Sequence, residues 1–174
     1  TNVHVSLYNQ FTGVGFIWGE MVAQICDGSS WDNSTASAIT NPDFSVASGA
    51  AYTVRVFDFF GNALSDYTFV ASTAEVPVSI AIPVFSWQLM NQNDQPVLVS
   101  MRWNNSGSPL QFFVAPRWAS DHLIKAGNYS IGVTMYNSTG SAMGTVTFNQ
   151  AVPMAGLNAT FLFVNGTAIS QIVT

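Results

Sequence analysis

The sequence predicts an all-β chain, an immunoglobulin-like or jelly-roll-like β-sandwich that begins with an N-terminal strand. Three observations carry that prediction. Apolar and polar residues alternate with a period of two along most of the chain. Val, Ile, Phe, Tyr and Thr fill the alternating runs, while Gly, Pro, Asn and Ser separate them at intervals of about 8–12 residues. No segment sustains a long helical period, and "WASDHLIKAG" (Trp118–Gly127) is the one stretch that reads as a helical turn.

The first strand is Val3–Tyr8. Val3, Val5 and Leu7 face one way, and Asn2, His4, Ser6 and Tyr8 the other. Further strands are expected at Val14–Ile25, Tyr52–Asp58, Leu64–Ala71, Val76–Ile82, Val84–Met90, Val97–Trp103, Leu110–Ala115, Tyr129–Tyr136, Met143–Asn149, Thr160–Val164 and Ala168–Val173. Pro77 and Pro83 bracket "VSIAI", and proline sits at strand ends, edges or bulges because it cannot donate to a ladder. Asp27–Pro42, "DGSSWDNSTASAITNP", is the most polar stretch and reads as a loop or linker between an N-terminal arm and the main body. The division this suggests is a tail over residues 1–12 and a sandwich head over 13–174.

Ala50–Phe69 and Ala126–Phe148 read alike, each as strand, turn, strand. Tyr52, Val54 and Val56 match Tyr129, Ile131 and Val133. After a two-residue shift, Gly61, Ala63, Thr68 and Phe69 match Gly140, Ala142, Thr147 and Phe148. In each, a glycine beside the turn supplies the positive φ that a hairpin needs. The pattern suits an internal hairpin repeat, and it is also what any two hairpins share.

Composition narrows the function classes. The chain has 174 residues, 48% apolar and only 7% charged, against about 25% charged in an ordinary soluble domain. So few charges and so many apolar residues are incompatible with disorder. The apolar runs fall far short of the roughly 20 residues that a spanning helix needs. Arg55, Arg102, Arg117 and Lys125 are the only basic side chains, too few and too scattered for a nucleic-acid surface. Ser, Thr, Asn, Gln and Gly must therefore cover the surface. A chain with so few carboxylates should lose little when acid protonates them, which suits an acidic exterior or a coat largely buried in an assembly. Thr1 in place of an initiator Met suits a processed, secreted chain.

No constellation for catalysis stands out. His4 and His122 are the only histidines, and Asp121 beside His122 in sequence does not orient a triad. No nucleophile elbow, zinc-protease motif or phosphate loop is present, and Asp27, Asp32 and Asp43 fit no calcium spacing. No enzyme activity, cofactor or metal is expected. Glu20 and Asp58 lie in strand patterns, either buried and paired or facing solvent. Cys26 is the single cysteine and reads as a small buried apolar residue. Among five tryptophans, Trp31 in the polar loop is the candidate for an exposed contact, the rest being core.

Six glycosylation sequons begin at Asn33, Asn104, Asn128, Asn137, Asn158 and Asn165. Chance pairing of 14 Asn with 33 Ser and Thr would give about 2.7. Five of the six lie from Asn104 onward and none lies in the first 32 residues. Covalent N-linked glycans are thus expected, and a strand that must enter a groove is left bare. A strand at a chain end must pair with its own sheet or with a neighbour's open edge. Passed head to tail, the second contact never closes and builds a filament.

This charge-poor, sequon-rich all-β chain, with "TNVHVSLY" at its start, resembles the secreted subunits of archaeal surface filaments, the "thread" of thermoacidophilic archaea among them. The resemblance implies an immunoglobulin-like head whose N-terminal tail completes the next subunit's sandwich. Val3, Val5 and Leu7 would be the donor-strand residues. It further implies an extracellular linear homopolymer of identical subunits, serving adhesion or biofilm formation, with glycans meeting neighbouring filaments or cell surfaces. Archaeal pilins and flagellins fit less well, since residues 1–25 hold Gly13, Gly15 and Gly19 where those proteins need a long apolar helix. Strand-exchanging bundling pilins are a nearer rival. Two other classes stay open: a viral coat or spike protein from an acidic hot habitat, and a secreted carbohydrate-binding β-sandwich module.

Overall fold

A computed structural model describes residues 1–16, 21–31, 34–37, 41–58, 60–152 and 159–173. The chain divides into two compact units, Thr1–Val84 and Phe85–Thr174, so the boundary falls at the start of a strand near mid-chain rather than after a short tail.

The first unit is built from β1 (Asn2–Asn9), β2 (Val22–Cys26), β3 (Thr35–Ser37), β4 (Asp43–Ser45), β5 (Ala51–Phe57), β6 (Ala63–Val70) and β7 (Glu75–Ile82). They form two sheets, ordered β4-β1-β7 and β3-β2-β5-β6. β1 runs parallel to β7 and antiparallel to β4. The apolar alternation seen in sequence becomes one buried face per sheet: Val3, Val5, Leu7, Val78 and Ile80 on one, Ala23, Ile25, Val54 and Val56 on the other. Each Val, Leu or Ile side chain among them taken out of water contributes about 1.5–3 kcal/mol.

The second unit contains β8 (Val84–Asn91, whose first residue closes the first unit), β9 (Val97–Trp103), β10 (Leu110–Val114), β11 (Ala119–Lys125), β12 (Gly127–Tyr136), β13 (Ala142–Val152), β14 (Ala159–Asn165) and β15 (Ala168–Val173). Its sheets are β11-β8-β14-β15 and β10-β9-β12-β13. Its core holds Trp87, Leu89, Val99, Met101, Ile131, Val133 and Leu162. The indole N–H of Trp87 donates to Gln150 Oε1 at 3.2 Å.

Numbered within each unit, the strand orders coincide: 4-1-7 over 3-2-5-6 in both, with an eighth strand added beside the seventh in the second unit. The first strand runs parallel to the seventh in both. This is the expected all-β sandwich class. It shares the two-sheet build of immunoglobulin domains, with a connectivity of its own.

Three sequence expectations change. Trp118–Gly127 contains strand β11, not a helical turn. His122 and Ile124 are buried while Asp121 is exposed, a period of two that outweighs the helix-favouring Ala, Leu and Lys nearby. Asp27–Pro42 is not wholly loop, for Thr35–Ser37 pairs antiparallel with β2. The long strand Val14–Ile25 reduces to Val22–Cys26, with Val14 to Phe16 folding back along β1 and residues 17–20, Glu20 among them, outside the described residues.

The β5–β6 and β12–β13 hairpins agree bond for bond. Asp58 N donates to Asn62 O at 3.0 Å and Asn137 N to Ser141 O at 2.9 Å. Asp58 Oδ1 accepts from Phe60 N and Asn62 N, as Asn137 Oδ1 accepts from Thr139 N and Ser141 N. Gly61 (φ 78°) and Gly140 (φ 82°) take the left-handed conformation that other residues reach only with strain. Both ladders slip one residue next to the turn, at Val56/Phe57 and Met135/Tyr136. The register therefore aligns Val54 with Val133 and Val56 with Met135, and the two-residue shift of the sequence match disappears. Asp58 is thus a buried turn residue at the end of β5.

Since a buried carboxylate accepting two backbone N–H groups is worth more than an amide in the same role, Asp58→Ala is expected to cost about 2–3 kcal/mol in urea unfolding of unglycosylated protein. Asn137→Ala, at the matching turn, should cost about 1 kcal/mol.

Candidate functional site

The chemistry-bearing cluster of the first unit is the seat of β1. Val3, Val5 and Leu7 are 0%, 2% and 2% exposed, so the alternation read from sequence points into the core. One edge of β1 pairs with β7 over its whole length, from Asn2↔Glu75 to Asn9↔Ile82. The other edge pairs with β4 through Asn2, Val3 and His4. Beyond that, Asn41 takes over. Its Oδ1 accepts from Leu7 N at 2.7 Å and its Nδ2 donates to the carbonyl of Phe16. The segment after β1 then turns back, with Phe16 N on Leu7 O and Asn9 N on Val14 O. Asn9 Oδ1 holds the turn by accepting from Phe11 N and Thr12 N.

The start of the chain is equally engaged. The Thr1 ammonium donates to Val46 O at 3.0 Å, and Thr1 Oγ1 donates to Thr73 O at 2.8 Å.

On the outer face, His4 bridges two carboxylates. Its Nδ1 lies 2.7 Å from Asp43 Oδ1 on β4, and its Nε2 meets Glu75 Oε2 on β7. Asn2 Nδ2 donates to the other oxygen of Glu75 at 3.0 Å. The hydrogen bond to Asp43, then that to Glu75, raises the His4 pKa above its ordinary 6.5. The hydrogen bond from Asn2, then that from His4, lowers Glu75 below its ordinary 4.5. The bridge thus ties β1 to both neighbours as an exposed clip. Sequence reading placed His4 on the solvent face and could not find its partners. One lies on the unrecognised strand β4, and the other comes alongside through a parallel pairing 71 residues away.

The remaining predicted positions are spread over the chain. Asn104, Asn128 and Asn165 are exposed and Asn137 is half-buried. Asn33 and Asn158 lie outside the described residues. Asn104 and Asn128 are neighbours, since Asn104 Oδ1 accepts from Asn128 N at 2.9 Å. Asn137 caps its turn through Oδ1, and glycan attachment would use Nδ2. Cys26 is buried, with its Sγ donating to Ser30 O.

Trp31 is a correction: it is half-buried and covered by the Arg55 guanidinium, 4.3 Å from the ring centroid. Arg55 is held there by two hydrogen bonds to Asp66, at 2.7 and 2.8 Å. Among the described residues the exposed tryptophan is instead Trp118, 68% exposed before β11. Asp121 accepts from Gln88 and points away from His122, which packs on Phe112 and meets Ser120 Oγ at 2.6 Å.

No protein-family model and no curated protein matches this sequence. Among solved structures, a "putative cell adhesion protein" of Bacteroides ovatus aligns over 99% of this chain and 95% of its own, at 10% identity and a TM-score of 0.45. The TIE protein of Bacillus anthracis aligns over 94% of this chain at 9% identity and a TM-score of 0.38, and this chain spans 33% of its length. A family CBM26 module of Eubacterium rectale Amy13K, solved with maltoheptaose, aligns over 100% of this chain and 97% of its own at 12% identity and a TM-score of 0.32. These are distant likenesses among β proteins and leave the choice of function to the residues.

The clip has a pH window. His4, with a raised pKa, contributes stability below pH 6.5 that is lost as pH rises through its folded value. Glu75, with a lowered pKa, contributes stability above pH 4.5 that is lost as pH falls through its folded value. The stability difference between wild type and His4→Gln should therefore peak between pH 4.5 and 6.5 and shrink on both sides, as read by urea midpoints across a pH series.

Proposed function

We propose that this chain is a structural subunit of an extracellular, N-glycosylated cell-surface filament, in which identical subunits exchange the N-terminal strand and the polymer serves adhesion. One observation carries the reading. Among the described residues β1 is the one strand that joins β4 to β7, so withdrawing it opens a slot with two free strand edges and an apolar floor. An identical strand from a second copy would fill that slot with the same ladder bonds and the same Val3, Val5 and Leu7. Donated head to tail to the next copy rather than swapped reciprocally, the strand makes a heterologous contact that propagates.

Two further features support it. The surface relies on hydroxyls and amides rather than ions, which suits copies packed closely in an acidic or saline exterior. Five of the six sequons belong to the second unit, and none lies on the strand that must slide. The named adhesion and carbohydrate-binding proteins are distant likenesses with the same general build, and the reading does not rest on them.

A disulfide trap separates exchange from self-pairing. Ser6 and Ser79 are register partners on β1 and β7, both exposed on the same face. Neighbouring strands bring such pairs within disulfide reach. In a Cys26→Ser background, Ser6→Cys with Ser79→Cys, oxidised at high protein concentration, should give a covalent ladder on a non-reducing gel and filaments in electron micrographs. A monomer band alone would mean that β1 stays in its own unit, and the filament reading would fall.

A further inference from the structure

We propose that the outer face of the β10-β9-β12-β13 sheet is a binding site for a carboxylate-bearing sugar, with Arg102 pairing the carboxylate. This site lies in the second unit and does not depend on strand exchange.

The face is built in rungs. Ser100, Gly132 and Thr147 lie side by side across β9, β12 and β13, and Arg102, Ser130 and Asn149 form the next rung. Gly132 leaves the middle of its rung without a side chain. The result is a groove of about 500 Å³, walled on the far side by Thr145 and on the near side by Pro109. Ser130 Oγ lies within hydrogen-bonding distance of Asn105 Oδ1 and of Asn149 Oδ1, and Asn149 lines the groove.

Arg102 is the unusual member. Its Nε is buried and has no hydrogen-bond acceptor among the described residues. A buried N–H left unmatched is costly and calls for an explanation, and an acceptor from outside the chain is one that the groove beside Arg102 offers. The other basic side chains are occupied: Arg55 by Asp66, Arg117 by Asp94, and Lys125 above the Trp103 ring at 4.9 Å. No Asp or Glu lines the groove, so Arg102 meets no counter-charge there. In a chain with net charge −5, a lone cation in a carboxylate-free groove selects an anion locally.

The lining chooses among anions. A phosphate is usually held by several backbone N–H groups at a helix end or nest. Here the floor is a sheet centre whose N–H groups are spent in the ladder. A single planar guanidinium matches one carboxylate through paired N–H donors. The hydroxyls of Ser100, Thr145 and Thr147 and the amide of Asn149 both donate and accept, as a ring of sugar hydroxyls requires. A uronic acid residue combines the two chemistries in one ring, within reach of a groove of this size.

The test uses the full, unglycosylated chain and three probes, glucuronate, galacturonate and mannuronate oligosaccharides, with neutral glucose oligosaccharide and acetate as controls. Binding is read by isothermal titration and by amide shifts of Ser130 and Thr147. At least one uronate should bind, with glucose and acetate at least tenfold weaker. Arg102→Gln should weaken it at least tenfold. Gly132→Val fills the groove at a position where a Cβ would make only ordinary contacts, 3.7 Å from Thr147 Cγ2 and 3.9 Å from Ser100 Cβ. That variant should fold at least as stably and still lose binding. Failure of all three uronates, acetate binding as tightly as a uronate, or equal binding by wild type and both variants would overturn the proposal.

Discussion

Each unit depends on the parallel pairing of its first strand with its seventh. β1 joins β7 and β8 joins β14, and in both cases the first strand sits in the middle of its sheet. Parallel strands cannot be linked by a tight turn. The five strands between them must therefore be laid down elsewhere, and they supply the facing sheet and the outer edge strand. Each sheet of this kind is complete only when residues about 70 positions apart have met. Such distant closure favours slow folding, because loop entropy must be overcome before the contacts repay it. It also explains why the ends of β1 are pinned by so many bonds. Thr1, Asn2, Asn9 and Asn41 all satisfy backbone or side-chain groups around one eight-residue strand.

The alternation in the sequence made most strands legible, because a half-buried strand needs little else to declare itself. Val3, Val5 and Leu7 were read as one face and are one face. The failures have physical causes. β3 and β4 have three residues each, too short for a period to be seen. In β11, helix-favouring residues sit on a strand that is decided by its partner β8. The true alignment of the two hairpins depends on a one-residue slip beside each turn, and no pattern of residue types marks a slip.

The candidate sites were less legible than the fold. The His4 clip and the Arg102 groove both arise from residues brought together across strands. Asp43 and Glu75 are unremarkable in sequence, as are Ser100 and Thr147. A signal did exist for the groove. Gly132 interrupts a run of β-branched and aromatic residues in mid-strand, and glycine there commonly marks a close approach or an open space. The sequons were legible, and the structure adds that Asn104 and Asn128 stand side by side.

Arg55 and Asp66 face each other across one hairpin, and Thr134 and Thr145 hold the same rung of the other, hydroxyl to hydroxyl at 2.8 Å. An identical frame thus accepts either a charged pair or a neutral one. Nothing in the turn or the slip beside it changes with the exchange. The rung behaves as an adjustable setting, decoupled from the architecture that carries it. Through such positions, the electrical character of a surface can drift toward a new habitat while the fold beneath stays the same.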